Sequence, residues 1–278
     1  MPDLIELFIR RWKFITGFTL CATLVAILIT IAVPKEYLST ATALPVNSVT
    51  ADRARIFNSN IQALYSDFGT PDELDRMEGT AKLDTLFIAA AKENNLAEHY
   101  GIPNSGEADY KAALKLQKHT EISRSGYGEL QIKVWDEDRN LSAKLANDLL
   151  SGLEKLHQHL QNQNASTVLQ KVKEAYASAC RNYSTLTDSL ATRPGNKELL
   201  TGMQASLLSR IEQYQKMIDE YQIYLNTDPQ VLLTVEPARP SLWPDKPKGW
   251  AIALFTLFGA LLFSYLLAMY QEKRKSLP

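Results

Sequence analysis

Two long apolar runs without a charged residue, one near each end of the chain, restrict the fold more than anything between them. Phe14 to Val33 reads FITGFTLCATLVAILITIAV, and Trp250 to Tyr270 reads WAIALFTLFGALLFSYLLAMY. At helical rise each covers about 30 Å, the hydrocarbon thickness of a bilayer. Neither has a polar face, so neither suits the half-buried helix of a soluble domain. Trp250, Tyr265 and Tyr270 fit an interfacial aromatic belt. Arg10, Arg11 and Lys13 precede the first run, and Lys273, Arg274 and Lys275 follow the second. Positive residues remain on the cytoplasmic side. Tails 1–13 and 271–278 are therefore expected inside, spans at 14–33 and 250–270, and residues 34–249 outside. A cleaved signal peptide fits less well. The first run exceeds the usual h-region of about 7–15 residues, and the nearest small-x-small site, Ala41-Thr42-Ala43, lies well beyond it.

Mean hydropathy is −0.19 and net charge −1, values that hide this segregation of apolar termini from a polar middle. No basic field is available for nucleic acid. Cys21 and Cys180 lie in distant segments, so each is expected as a small buried hydrophobe rather than half of a disulfide.

Between the spans the pattern alternates between strand and helix. Pro34 ends the first helix, and Tyr37 to Val46 reads as a strand leaving the membrane. Thr70 and Glu73 around Pro71 form a capping box for helical sequence running to about Ala97, interrupted at Gly79. Asn104 to Gly106 is a loop and Tyr110 to Lys118 a short helix. Gly126 and Gly128 bracket a turn before Glu129 to Trp135, where Leu130, Ile132 and Val134 make one buried face.

Asp138 can then cap the longest helix. Apolar residues fall at 141, 145, 149, 153, 156 and 160, and after a polar QNQN patch at 172, 176, 179, 183, 186 and 190. Beyond Arg193-Pro194-Gly195-Asn196, a second stripe follows at Met203, Leu207, Ile211, Tyr214, Ile218, Tyr221 and Leu225. Matching stripes predict an antiparallel helical hairpin over about 139–226, tipped at Pro194-Gly195. If continuous, Arg139 to Thr192 spans about 80 Å. Val231 to Val235 returns as a strand. Pro237, Pro240, Pro244 and Pro247 then make a stiff connector over 237–247 into the second span. The fold class expected is α+β, with two transmembrane helices flanking an α/β base that carries a projecting helical hairpin.

Three stretches carry a family resemblance. They are Asp3-Leu4-Ile5-Glu6-Leu7 with Pro34-x-x-Tyr37; Ile132-Lys133-Val134, Asp136-x-Asp138 and Ala143-Lys144-Leu145-Ala146-Asn147; and Ala238-Arg239-Pro240 with Pro244 and Pro247-Lys248. In this order the chain resembles the polysaccharide co-polymerases, the Wzz-type chain-length determinants. The resemblance implies a non-enzymatic protein of the bacterial inner membrane with its bulk in the periplasm. It implies ring-like homo-oligomers that regulate the length of O-antigen, capsule or exopolysaccharide chains. The implied partners are a polysaccharide polymerase or exporter, the glycan chain, and the lipid bilayer. Alternatives are a capsule or exopolysaccharide export component, the membrane adaptor of a separate tyrosine kinase, and a two-span sensor.

Nothing in the residues asks for catalysis, a cofactor or a metal. No G-x-x-x-x-G-K-[ST] occurs, and the tail after Tyr270 has no room for a kinase domain. His157 and His159 point to different faces of a helix and are expected as solvated residues. Asp136, Glu137 and Asp138 fit a turn and an N-cap better than a carboxylate pair. Asn140, Asn164 and Asn182 open glycosylation sequons but fall on expected helix. Assembly is the stronger signal. Ala260, Ser264 and Ala268 form a small-residue stripe in the second span, beside its only glycine, Gly259. Leu186 and Leu190 mark the hairpin seam, and Pro240, Pro244 and Pro247 set the connector's angle.

Overall fold

A computed structural model of the protein describes residues 4–46, 71–192, 197–227 and 230–275. Its elements are α1 (Leu4–Ala32), β1 (Tyr37–Pro45), α2 (Pro71–Ala81), α3 (Asp84–Glu93), α4 (Leu96–His99), α5 (Ala108–Lys118), β2 (Thr120–Arg124) and β3 (Leu130–Asp136). They continue with α6 (Arg139–Thr192), α7 (Lys197–Thr227), β4 (Leu232–Glu236) and α8 (Gly249–Lys275). The four strands form one sheet in the order β2-β3-β1-β4. This is the α+β class expected, with a long apolar helix at each end. The chain forms two compact units. One comprises Met1–Ser39, Val134–Ala143 and Arg239–Pro278, and the other Thr40–Lys133 and Lys144–Ala238.

The first unit contains the apolar helices. Within α1 and α8, Arg11–Ala32 and Gly249–Gln271 are long and apolar enough to cross a membrane. α1 stops two residues before Pro34, which has no N–H to donate and pushes its predecessor out of helical geometry. The two helices pack antiparallel. Ile15 meets Ala268 and Tyr265, the rings of Phe18 and Phe263 lie 5.9 Å apart, and Gly249 comes up against Thr30. Their outward faces carry Leu24, Leu28, Ile31, Phe255, Phe258 and Leu262, all mostly exposed. Water is a poor solvent for such continuous apolar surface, whereas lipid is a good one. Hydroxyls within these helices are satisfied locally. Thr19 donates to the Ile15 carbonyl at 2.7 Å and Thr256 to that of Ile252 at 2.7 Å, as a low-dielectric surround demands.

The second unit packs helices and a helical hairpin with the strands. β3 alternates as expected, with Leu130, Ile132 and Val134 buried and Gln131, Lys133 and Trp135 partly exposed. β1 pairs antiparallel with β4 from Thr42↔Glu236 to Pro45↔Leu232, with a register shift between Thr42 and Ala43. β4 thus returns the chain to the sheet beside the strand that began it. The bulge also twists an edge strand whose open side is a pairing hazard. β2 is absent from the sequence expectations. Its five residues, TEISR, bury only Ile122, so no alternation betrays it.

The first helical stretch breaks elsewhere than expected. α2 runs through Gly79, which lies on an exposed face where glycine costs only about 1 kcal/mol. The break comes at Leu83, extended at φ −70° and ψ 136°. A further stop follows at Asn95, left-handed at φ 50°. Thr70, the expected cap, lies outside the described residues. α6 is a single helix of 54 residues, and the QNQN patch does not interrupt it. α7 folds back along it. Leu169, Val172 and Ile218 are buried together, flanked by Val168, Tyr176, Tyr214, Tyr221 and Leu225. Tyr224 donates its hydroxyl to Gln161 at 3.0 Å, while Gln204 donates to Tyr183 at 3.2 Å. These pairings run in opposite directions along the two helices, as a hairpin requires; Pro194 and Gly195 at its tip lie outside the described residues.

Near its N-terminal half α6 buries Leu145, Leu149 and Leu153 completely. α3 lies against this stretch, with Leu86 close to Gly152. Both cysteines are free, but neither is buried: Cys21 is exposed on α1 and Cys180 is half-buried. A thiol on a lipid-facing surface needs no core, which explains the departure at Cys21.

The seam gives a direct test. Ile218→Ala should lower stability by about 2 kcal/mol, at the low end for a buried aliphatic because the hairpin is only two helices thick. Met203→Ala, half exposed on the same helix, should change it by less than about 0.5 kcal/mol. Urea titrations of the detergent-solubilised protein, followed by circular dichroism, compare them; equal losses would mean the seam lies elsewhere.

Candidate functional site

At the start of α6, Asp138 accepts the Asn140 N–H on Oδ1 at 2.8 Å. Its carbonyl accepts the Ser142 N–H at 2.9 Å. Asp138 is therefore the N-cap. Asp136, buried, accepts the Asp138 N–H at 2.9 Å and tightens the preceding turn. These carboxylates shape backbone, in keeping with the sequence expectation.

Around this turn the first unit gathers the segment after α1, the β3-to-α6 turn and the connector from Arg239 onward. Ser39, fully buried, lies 2.8 Å from the Ser142 hydroxyl. It also donates to the Arg239 carbonyl at 3.1 Å, while Ser142 donates to Arg139 at 2.9 Å. Two hydroxyl protons serve three contacts, so one proton is shared. Further along the connector, Glu36 exchanges two backbone bonds: its N–H donates to the Lys246 carbonyl at 3.0 Å and its carbonyl accepts from Asp245 at 2.9 Å. Trp135 donates its indole N–H to Asp245 Oδ2 at 2.8 Å. The Lys246 ammonium sits 4.1 Å from the centre of the Trp135 ring and 3.5 Å from Glu36.

Magnitudes rank these contacts. The ion pair is half exposed and worth about 0–1 kcal/mol, with a similar contribution from the cation–π contact. The indole bond to a carboxylate is worth about 1.5–3 kcal/mol. The backbone pair at Glu36 and the Trp135–Asp245 bond thus do most of the fastening.

The second unit repeats the theme one residue earlier in the connector. Asn147 donates to the Ala238 carbonyl at 3.0 Å and accepts the Ala238 N–H at 2.8 Å. A primary amide is the side chain that matches a backbone amide at both ends.

The expected assembly residues fall into two groups. In the first unit Pro240 and Pro244 are exposed and Pro247 half-buried. The connector is not a straight rod, since it bends at Leu242 and Trp243. Ala260, Ser264 and Ala268 are buried, and Ala268 touches Ile15, so the small-residue face is turned to α1 of the same chain. Gly259 is exposed beside it. In the second unit Leu186 is half-buried on α6, whereas the Leu190 side chain lies outside the described residues. Glu36, Ser39, Trp135, Ser142, Asp245 and Lys246 were not singled out by the sequence. The one available signal was Ser39, a hydroxyl at the inward register of Ala41 and Ala43.

His157 is not solvated as expected. α2 covers it, and its Nε2 lies 2.6 Å from the Thr80 hydroxyl. Burial lowers its pKa from the usual 6.5. His159 is exposed. Among the described residues no cluster of three or more His, Cys, Asp or Glu could hold a metal.

No family profile matches the sequence, and no curated protein is similar to it. Among solved structures, the chain is similar to a full-length bacterial polysaccharide co-polymerase at 13% identity. The match covers 100% of this chain and 99% of that one with a TM-score of 0.45. Likeness at that level leaves function to be argued from the residues themselves.

Two outcomes follow from this geometry. Asn147→Asp keeps the shape but sets an acceptor against the Ala238 carbonyl; it should cost about 1–3 kcal/mol and quicken elastase cleavage after Ala238. Asn147→Leu tests the same bonds, and unchanged cleavage in both would show that the clamp holds nothing. For His157 the folded pKa lies below the unfolded one, so the unfolded chain binds more protons between them. Its contribution is complete above pH 6.5 and is lost as pH falls toward the folded value. His157→Gln should flatten that part of a melting-temperature profile. Glu154, whose pKa burial raises from 4.5, acts in the opposite sense, and because both proteins keep it, the difference between their profiles isolates His157.

Proposed function

We propose that the protein is a non-enzymatic scaffold of the bacterial inner membrane that regulates the chain length of a surface polysaccharide. The observation that carries this reading is the convergence of its three family-like stretches. The segment after α1, the β3-to-α6 turn and the Pro-rich connector bond to one another through Ser39, Ser142, Glu36, Trp135 and Asp245. Stretches that recur together in a family and meet in space are serving one purpose. Here that purpose is to hold the two ends of the outer chain against the spans. Nothing in it requires the protein to make or break a bond.

The antiparallel pairing of α1 and α8 supports the topology. Arg10, Arg11 and Lys13 stand at the same end of the pair as Lys273, Arg274 and Lys275, so both clusters satisfy the positive-inside rule together. Residues 34–249 then belong to the periplasm. A ring-like homo-oligomer acting beside a polymerase or exporter, with the glycan within reach, completes the proposal.

A gel ladder of surface polysaccharide tests it. A deletion strain should still make polymer but lose its preferred length range. Alanine at Pro240, Pro244 and Pro247 together should reproduce part of that loss at unchanged membrane abundance, because φ is no longer locked in the connector. Absence of all polymer in the deletion strain would favour an export role, and an unaltered ladder would remove the chain-length role.

A further inference from the structure

The connector has a short loop that the interactions above leave unexplained. Between the Arg239 carbonyl, held by Ser39, and Asp245, held by Glu36 and Trp135, residues 240–244 bulge outward. Ser241 stabilises the bend by donating to the Trp243 carbonyl at 2.8 Å. The bend presents Leu242 and Trp243, which are 77% and 80% exposed. Scattered surface leucines are ordinary, but a neighbouring Leu–Trp pair held out by a loop fixed at both ends is not.

Its position limits what can cover it. Both anchors of the loop lie on residues 36–39, directly after α1 ends at Ala32. From Val33 to Glu36 the chain spans at most about 10 Å. From Lys246 to Gly249, where α8 begins, it spans about 10 Å. The headgroup layer on each side of the hydrocarbon is about 5–7 Å deep. The pair is thus tethered twice, within reach of that layer, and it belongs to the same unit as the spans. Lys35 and Lys248, both exposed, lie in the two short segments that join the loop's anchors to the helices, as suits a surface carrying phosphate. An indole is also the side chain best placed between hydrocarbon and water, with an apolar body and one polar N–H.

We infer that Leu242 and Trp243 are a membrane-interface anchor, inserted into the headgroup region of the leaflet where α1 ends and α8 begins. The anchor rests on the reading that these helices cross a bilayer. It would hold the connector down by lipid contact where Ser39 and Glu36 hold it by hydrogen bonds. The occupant is lipid rather than a second copy, because the loop's tethers keep it beside lipid whether or not copies assemble.

Tryptophan quenching tests it in vesicles of phosphatidylcholine brominated near the headgroup end or near the middle of the acyl chain. The sequence has four tryptophans. One variant (W12F, W135F, W250F) keeps Trp243, and another (W12F, W135F, W243F) keeps Trp250 as the marker of the span. Trp243 emission should fall about twofold or more with shallow bromines and less with deep ones, as for an interfacial indole. Quenching of Trp250 without Trp243 overturns the anchor and leaves the spans standing, whether water or a second copy then covers the loop. Failure of both overturns the spans. Because Trp135→Phe loses the bond to Asp245, a second measurement keeps every tryptophan. Leu242→Cys carrying a nitroxide, with Cys21 and Cys180 made alanine, should collide more with oxygen than with a water-soluble relaxant. The reverse preference overturns the anchor.

Discussion

The antiparallel pairing of α1 with α8 governs the rest of this protein. Two helices whose outward faces are leucine, isoleucine and phenylalanine need lipid around them. Once they run side by side in opposite directions, the chain between them must leave and return at one end of the pair. Residues 33 and 249 are brought together before any outer structure is specified. The small side chain of Ala268 on α8 leaves room for the larger Ile15 opposite, and Ala260 and Ser264 are buried along the same stripe. Close approach supplies the van der Waals contact that hydrophobic burial cannot supply in lipid.

That constraint explains why the sheet is small and why its first and last strands are partners. β1 leaves α1 and β4 precedes the connector, and pairing them antiparallel closes the excursion with backbone bonds alone. The remaining closure falls to two side chains that recognise backbone and to one backbone pair. Ser39 holds Arg239, Asn147 holds Ala238, and Glu36 pairs with the chain at Lys246. Each fastening grips the main chain of the connector. Prolines within it cannot donate to such contacts, so the grips fall on the residues around them: Ala238, Arg239, Asp245 and Lys246.

What could be read from the sequence was whatever repeats with a period. The long apolar helices, the alternation in β3 and most of the two hairpin stripes are long patterns that the structure has, although Leu160 and Met203 of the expected stripes are exposed. Within the hairpin the densest packing lies at Leu169, Val172 and Ile218. The expected stripe paused at the QNQN patch and resumed only at residue 172, passing over Val168 and Leu169. β2 escaped because an edge strand with one buried residue shows no alternation. The break at Leu83 escaped because glycine, the obvious breaker at Gly79, sat on a solvent face where it is tolerated. Asp138 was legible as a cap because capping is local. The junction was the opposite case. Ser39 meets Ser142 across 103 residues and Arg239 across 200, and no short window of sequence contains such a pair.

The same separation in sequence bears on why the family-like stretches stand where they do. A membrane span alone tolerates many apolar sequences, and a helical hairpin tolerates many heptad-like ones. Junctions are less forgiving. A hydroxyl replaced at Ser39 removes the donor to the part-buried Arg239 carbonyl, a bond worth about 0.5–1.5 kcal/mol. Bonds of this kind join the segment after α1, the β3-to-α6 turn and the connector through Ser39, Ser142, Trp135 and Asp245. Side chains from three distant places in the sequence thus serve a single junction within the unit that carries the apolar helices.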